Sequence, residues 1–493
     1  MSSNIRIASF ISSLLALLLL LSGPPASASP ASALGPQLPV VEARDGFVGR
    51  LQVSPPNGPA GTRVTITADR LPANEEFALA WRTVLGAWNV SVGEYHGREF
   101  KVVAYEIGKF SSSSAGSLTA TFVAPEDFGF VHDIVLQQRD RLLTQAAFSL
   151  DMTVKISPEN GPPGTPITVE VQGIGWRPLF NSWHLLYDNR FTGWISSVTT
   201  HGSAKFVIPA SGNPGPHVLE ILHGEFTFPY RNMQQNPEPD RPRWAIPFLV
   251  TDASPMLPMP AERQVQTRLK MPLSAGDLVA RPAFAAVGDE VTVSAAAVAP
   301  NQSHELNWVT LTGNRVGGGG WEEAVRAVAS ARSNGAGEVQ FRFAVPDDLG
   351  GPHPLFLATD AGNEIGSLLV VPKALPLDVT RGPVGTTFTV HLKGVGWTET
   401  ANIYHVVYDN GYIGYACGFN SQGDVEIFLK ATGDPGWHFI DLYPGIYKGT
   451  ERRPNNYAIP QLTYADDHPG EDLPAFHFAF EVVKQTAGTV SAP

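Results

Sequence analysis

One cysteine, Cys417, occurs in 493 residues. No intramolecular disulfide can form, so the fold must be held by packing and hydrogen bonds alone. A catalytic Cys417 would need a histidine partner, and Ser196 stands in its place in a related segment. A small, half-buried residue is therefore expected. Charged residues are also scarce, at 16% of the chain against the usual ~25%. The net charge is −12, with the acids scattered. A nucleic-acid binder would need a basic face, so that class is excluded, and the charge serves solubility. No nucleophile elbow, H-E-x-x-H or Walker-type loop is present. Gly317–Gly320 lacks a following Lys-Ser/Thr and reads as a loop, not a phosphate cradle.

Long apolar runs are absent beyond the N-terminus. There, Arg6 precedes a mostly apolar stretch from Ile7 to Leu21, which Gly23-Pro24-Pro25 breaks. The run is shorter than the ~20 residues a membrane span needs. Small residues follow, and cleavage after Ala28 or Ala33 would fit a signal peptide over 1–33. No cysteine lies near either position, which excludes a lipid-anchored leader. An exported mature chain without a membrane span is expected. Its lack of disulfides suits a bacterial or archaeal exported protein better than a disulfide-stapled animal ectodomain.

What the chain has in excess is glycine (48) and proline (42), interleaved with apolar residues. That composition fits many short strands joined by turns. The chain also repeats itself. Gly161-Pro162-Pro163-Gly164-Thr165 returns as Gly382-Pro383-Val384-Gly385-Thr386, and Gly173-Ile174-Gly175-Trp176 as Gly394-Val395-Gly396-Trp397. His184 to Asn189 returns as His405 to Asn410, and Pro214 to His217 as Pro435 to His438, always 221 residues on. A constant offset over four blocks is a tandem duplication. Each half is itself double. Gly58-Pro59-Ala60-Gly61-Thr62 opens a first module and Val287-Gly288-Asp289-Glu290-Val291 a third. The expected organisation is a leader at 34–50, modules at 51–151, 152–250, 277–372 and 373–484, a Pro/Met-rich linker at 251–276 and a tail at 485–493.

Module two shows the pattern of one unit. After the opening turn, Ile167, Val169 and Val171 alternate with polar residues, as in a half-buried strand. Trp183–Tyr187 reads as a second strand with Trp183, Leu185 and Tyr187 on one face. Asp188-Asn189 is a turn, and about seven strands fit in roughly 100 residues. Trp321–Ala331 is locally helix-friendly but expected to be extended.

These marks (G-P-x-G-T, G-x-G-W, aromatic-Asp-Asn and P-G-x-H) resemble the Ig-like repeats of bacterial and archaeal surface proteins, including the IPT/TIG-like type. Modules two and four carry all of them. Module one has Asp69-Arg70-Leu71 in place of the double glycine, and module three keeps Gly288 and Trp308. The resemblance implies an all-β fold of four antiparallel sandwiches arranged as a duplicated two-module unit. It implies stalk, adhesive or accessory roles and names no chemistry.

His132, His217, His353 and His438 occupy one equivalent corner, and a feature shared by all four modules serves the fold, tying a corner back to backbone. His184 and His405 are expected as polar positions on an outer sheet face. Asp466-Asp467-His468 with Glu471-Asp472 lacks the spacing of a calcium loop and is expected to be a solvated loop. Neither a metal nor a cofactor is expected. The long loops at Phe226–Arg243 and Tyr443–Leu473 either form a contact surface or pack over a module interface. For the first reading the residues are Phe228, Tyr230, Asn232, Tyr447, Arg452, Asn456 and Tyr457. The expected function is then non-catalytic, extracellular and structural or adhesive, toward a glycan or a surface protein. The alternative is a secreted enzyme on cell-wall or polymeric carbohydrate, with a site at a module interface.

Overall fold

The computed structural model describes residues 34–485 apart from 44–45, 92, 179, 226–227, 233, 236–241, 265–277, 315–319, 360–361, 448–458 and 471. The fold is all-β, and its helical elements among the described residues are two short 3₁₀ turns, Ala261–Arg263 and Phe419–Ser421.

In module two, Thr153–Ser157, Pro166–Gln172 and Ala204–Pro209 form a three-stranded sheet in that order. The facing sheet runs Asn160–Gly161, Trp244–Val250, Gly215–Glu225, Trp183–Tyr187, Arg190–Ile195, with Phe228–Pro229 paired to the tip of the third strand. The first pairing is parallel and the others antiparallel. Module four repeats this order: Lys373–Ala374, Thr387–Lys393, Val425–Lys430 facing Arg381–Gly382, Phe476–Val482, Gly436–Gly445, Ile403–Tyr408, Gly411–Cys417. Modules one and three share it, with longer hairpins at Glu76–Ser91/Glu94–Ser111 and Ser303–Asn314/Gly320–Arg332. Trp321–Ala331 is thus extended, as expected.

Alternation builds each core. Ile167, Val169 and Val171 are buried between the sheets with Trp183, Leu185 and Tyr187. Each such side chain contributes about 1.5–3 kcal/mol. Asp188 and Asn189 both take positive φ, 49° and 64°, and so do Asp409 and Asn410. That is the turn geometry whose twist matches a two-residue hairpin, and Asn and Asp tolerate it.

The modules are tandem in sequence but do not lie in a row. Val407, Tyr443, Leu462 and Ala475 of module four join the same apolar cluster as the core of module two. Across this interface, repeat counterparts meet each other. Phe191 and Tyr412 place their ring centroids 6.3 Å apart, Arg190 lies against Gly411, and Asn213 Nδ2 donates to Asp434 Oδ2 at 2.9 Å. Contacts between equivalent residues define a local two-fold axis, the isologous geometry of a homodimer built within one chain.

Three segments strap this interface. Residues 252–260 join no sheet. Met256 N donates to Pro163 O at 2.8 Å, and Gln264 bonds both the N–H (2.7 Å) and C=O (2.6 Å) of His477, so this stretch crosses from module two to module four. The rest of the expected linker, 265–276, lies outside the described residues, as do residue 277, the expected signal peptide over 1–33, the glycines of Gly317–Gly319 and the tail from 486. The hairpin of module one reaches over both modules: Arg98 stands over the Trp194 ring at 5.7 Å, and Tyr95 N donates to Glu399 Oε2 at 2.9 Å. Finally, Pro460–Leu462 of module four lies along the edge strand of module two.

Candidate functional site

The outer faces of the larger sheets of modules two and four set the geometry. In module two, His184 stands opposite Trp194 and Leu186 opposite Phe191. In module four, His405 stands opposite Tyr415 and Val407 opposite Tyr412. The expectation for the two histidines is corrected here. His184 and His405 are fully buried, not solvated. In module two this face packs against module four and carries the Phe228–Pro229 strand, and in module four the rings of Tyr412 and Tyr415 flank His405. Gly224 and Gly445 make this possible, because a Cβ at either would run into the His184 or His405 ring.

Around the histidines the aromatic side chains form one continuous line. Phe228 meets Phe191 at 5.6 Å between centroids, and Phe191 meets both His184 (5.4 Å) and Tyr412 (6.3 Å). Tyr412 and Tyr415 flank His405 at 5.6 and 6.3 Å. The line continues through Tyr447 (6.1 Å) and Phe419 (6.4 Å) to Trp321 of module three (6.4 Å). Such edge-to-face and offset contacts are the favoured aromatic geometries. Both ends and middle of this seam differ in exposure. Phe228 is 52% exposed and Tyr415 50%, whereas burial pushes the Tyr412 hydroxyl up to about 12.

The residues singled out from sequence distribute unevenly over this seam. Phe228 and Tyr447 belong to it, and Tyr447 is fixed by its N–H to Glu399 O at 2.9 Å. Tyr230 and Asn232 lie in the adjoining loop, both bonding Gln235 Oε1 at 3.4 Å. Arg452, Asn456 and Tyr457 lie outside the described residues. Tyr412 and Tyr415 were not singled out. Their signal was available, since they sit on a strand, Gly411–Cys417, that carries apolar residues on both faces without a charge. Cys417, at the end of that strand, is half-buried. Asp188 is not part of the seam; it pairs with His217 at the opposite end of its strand.

The acidic group is a second correction. Asp467 is buried and accepts from Val198 N (2.7 Å), Thr199 N (2.8 Å), Thr199 Oγ1 (2.7 Å) and Trp88 Nε1 (3.1 Å). Burial pushes its carboxyl above the ordinary range, and the Thr199 and Val198 donors work against that push. It is a junction between modules one, two and four. His468 beside it is held down to about 4 by burial, with Nδ1 at 2.8 Å from Gln461 Oε1 and Nε2 at 2.8 Å from Thr400 O. The described part of this long loop therefore packs over a module interface.

The four corner histidines do tie the chain back to itself. His132 places Nδ1 3.0 Å from Arg82 O and Nε2 2.5 Å from Phe128 O, and His353 does the same toward Val309 O (2.9 Å) and Leu349 O (2.7 Å). In modules two and four one nitrogen faces the turn aspartate instead: His217 meets Asp188 at 2.5 Å and His438 meets Asp409 at 2.6 Å. Among the described residues no three His, Cys, Asp or Glu side chains converge as metal ligands would. No described helix is long and apolar enough to cross a membrane.

No family model matches the chain, and no curated protein matches it. Solved structures do. The chain is similar to the native conformation of E. coli alpha-2-macroglobulin, at 12% identity and a TM-score of 0.18, over 87% of this chain and 30% of that one. Salmonella alpha-2-macroglobulin reacted with methylamine gives 9% identity and a TM-score of 0.19, over 88% of this chain and 31% of that one. This chain thus spans about a third of the length of those two proteins. The D1–D4 ectodomain fragment of ICAM-5 is matched at 12% identity and a TM-score of 0.17, over 84% of this chain and 99% of the fragment. At such scores these likenesses fix neither the arrangement of modules nor a function.

Proposed function

We propose that this is an exported, non-catalytic contact protein whose aromatic seam between modules two and four binds an extracellular partner, a glycan or a surface protein. The observation that supports this most is the line of rings from Phe228 through Tyr412 and Tyr415 to Tyr447, built on the packed interface of modules two and four and left partly open to solvent. Exposed rings on a fixed frame lose little conformational freedom on binding and bury much apolar area, about 1–3 kcal/mol per ring. The adjoining Tyr230 and Asn232, with Arg452, Asn456 and Tyr457 of the other long loop, would supply the polar rim. The N-terminal segment over 1–33 would direct export. Hydroxyl-radical footprinting with and without cell-envelope material tests this reading. Protection should appear at Phe228, Tyr415 and Tyr447 together, and uniform labelling of all three in both conditions would count against it.

A further inference from the structure

Trp194 and Tyr415 are repeat counterparts, each opposite its histidine, with the same one-residue bulge just beyond. Each stands on the outermost strand of the larger sheet of its module. The outward backbone of Trp194 is paired. Its N–H donates to Pro460 O at 2.7 Å, its C=O accepts from Leu462 N at 2.8 Å, and the two segments run parallel. Module four thus adds a short strand to the edge of module two. The equal register turns the N–H and C=O of Tyr415 outward as well. Among the described residues nothing bonds to them, and Ile413 and Tyr415 are 55% and 50% exposed. Edge strands are normally blunted by charge, proline or a cover. Gly411–Cys417 has neither a charged residue nor a proline.

We propose that the Tyr415 edge takes an extended peptide strand from a partner protein, in the parallel register in which Trp194 takes Pro460–Leu462. This rests on the seam being a contact surface and assigns its partner class. The spacing carries the assignment: one N–H and one C=O on a single residue are matched by a carbonyl and an amide two residues apart on extended backbone, as Pro460 and Leu462 show. Strand addition of this kind draws affinity from main-chain bonds and selectivity from alternate side chains. The rings of His405 and Tyr447, 6.3 and 6.1 Å from Tyr415, favour an uncharged segment, and Pro460-Gln461-Leu462 is one.

The probe is a synthetic peptide with the sequence Ile459–Tyr464, added to the full chain and followed by amide exchange and calorimetry. Addition should protect the Tyr415 amide. An analogue N-methylated at the residue corresponding to Leu462 should bind about tenfold more weakly, the loss of roughly one main-chain bond. Tyr415→Phe should keep binding. Tyr415→Pro should abolish it while leaving the melting temperature in place, because that N–H faces away from the sheet. If Tyr415→Pro unfolds module four, the N-methylated peptide decides. Absence of Tyr415 protection, equal binding of the N-methylated analogue, or equal binding to a folded Tyr415→Pro variant each overturns the proposal. Should the peptide fail while envelope attachment still depends on the Phe228 and Tyr415 rings, strand addition is wrong and the contact seam stands; loss of both removes both.

Discussion

Asn213 donates from Nδ2 to Asp434 Oδ2 at 2.9 Å, and the two stand 221 residues apart, at one position of the repeat. A residue can touch its own counterpart only near a two-fold axis. Duplication here therefore did more than lengthen the chain: it gave one polypeptide both halves of an isologous interface. Holding the halves on one chain raises their effective concentration, so this contact needs less intrinsic affinity than a free dimer would.

The interface can be tested against its own internal control. Asn189 and Asn410 hold the same turn at φ of 64° and 59°. Only Asn410 is buried, with Nδ2 on Pro209 O (2.7 Å) and Ser211 Oγ (2.9 Å). Glycine keeps the backbone geometry at either position. In urea unfolding, Asn410→Gly should cost about 1–3 kcal/mol and Asn189→Gly should be close to neutral. Equal effects would mean that the turn, not the interface, sets the cost.

His438 gives a pH dependence. Burial works against its charge, but Asp409, bonded at 2.6 Å, and the carbonyl of Asp434 outweigh it and hold the imidazole above its ordinary value of 6.5. A raised folded value means that the folded state keeps a proton the unfolded chain releases. The stabilisation is complete below 6.5 and is lost as pH climbs through the higher folded value. The melting temperature of the wild type should fall over that window, and His438→Gln should flatten the slope. An unchanged slope in the variant would place the titration elsewhere.

Asp467 accepts four hydrogen bonds at the junction of modules one, two and four. Asp467→Asn presents an amide N–H₂ to donors and should cost about 2–4 kcal/mol. Amide exchange should quicken at Val198 and Thr199 first. Unchanged protection there would show that the loop, not the carboxylate, holds the junction.

The corner histidines of modules one and three lie stacked on Trp81 and Trp308, with centroids 4.3 and 4.2 Å apart. His353→Phe keeps the stacking and removes the single imidazole N–H that bonds one of the two carbonyls beside the ring, Val309 O or Leu349 O. It should destabilise module three by about 1–3 kcal/mol without altering attachment to any partner. A loss of attachment at unchanged stability would give this histidine a functional role.

Sequence made the single module legible because strand period and turn chemistry are local. Ile167, Val169 and Val171 alternate, Asp188-Asn189 turns, and the corner histidines mark themselves by recurring. The packing of module two on module four is not local, so the strand pattern puts His184 and His405 on an outer sheet face without showing that this face is covered. A signal did exist: Trp183–Tyr187 and Ile403–Tyr408 are almost unbroken apolar runs, nearly every residue buried, and a strand covered on both faces reads that way. Asp467 gave no such sign, because a junction carboxylate and a solvated one look alike in sequence. The rings of the seam come from separate segments of modules two, three and four that only tertiary packing brings into line.

Attachment is the decisive measurement. Purified wild type and the Phe228→Ala/Tyr415→Ala double variant would be titrated onto cell-envelope material, with melting temperatures recorded on the same samples. If the seam is the contact surface, the variant should lose at least about tenfold in affinity, as expected for two exposed rings at 1–3 kcal/mol each, and melt where the wild type does. Equal attachment, attachment lost only together with the fold, or turnover of a polysaccharide or peptide by the wild type would contradict a non-catalytic contact protein that binds through these rings.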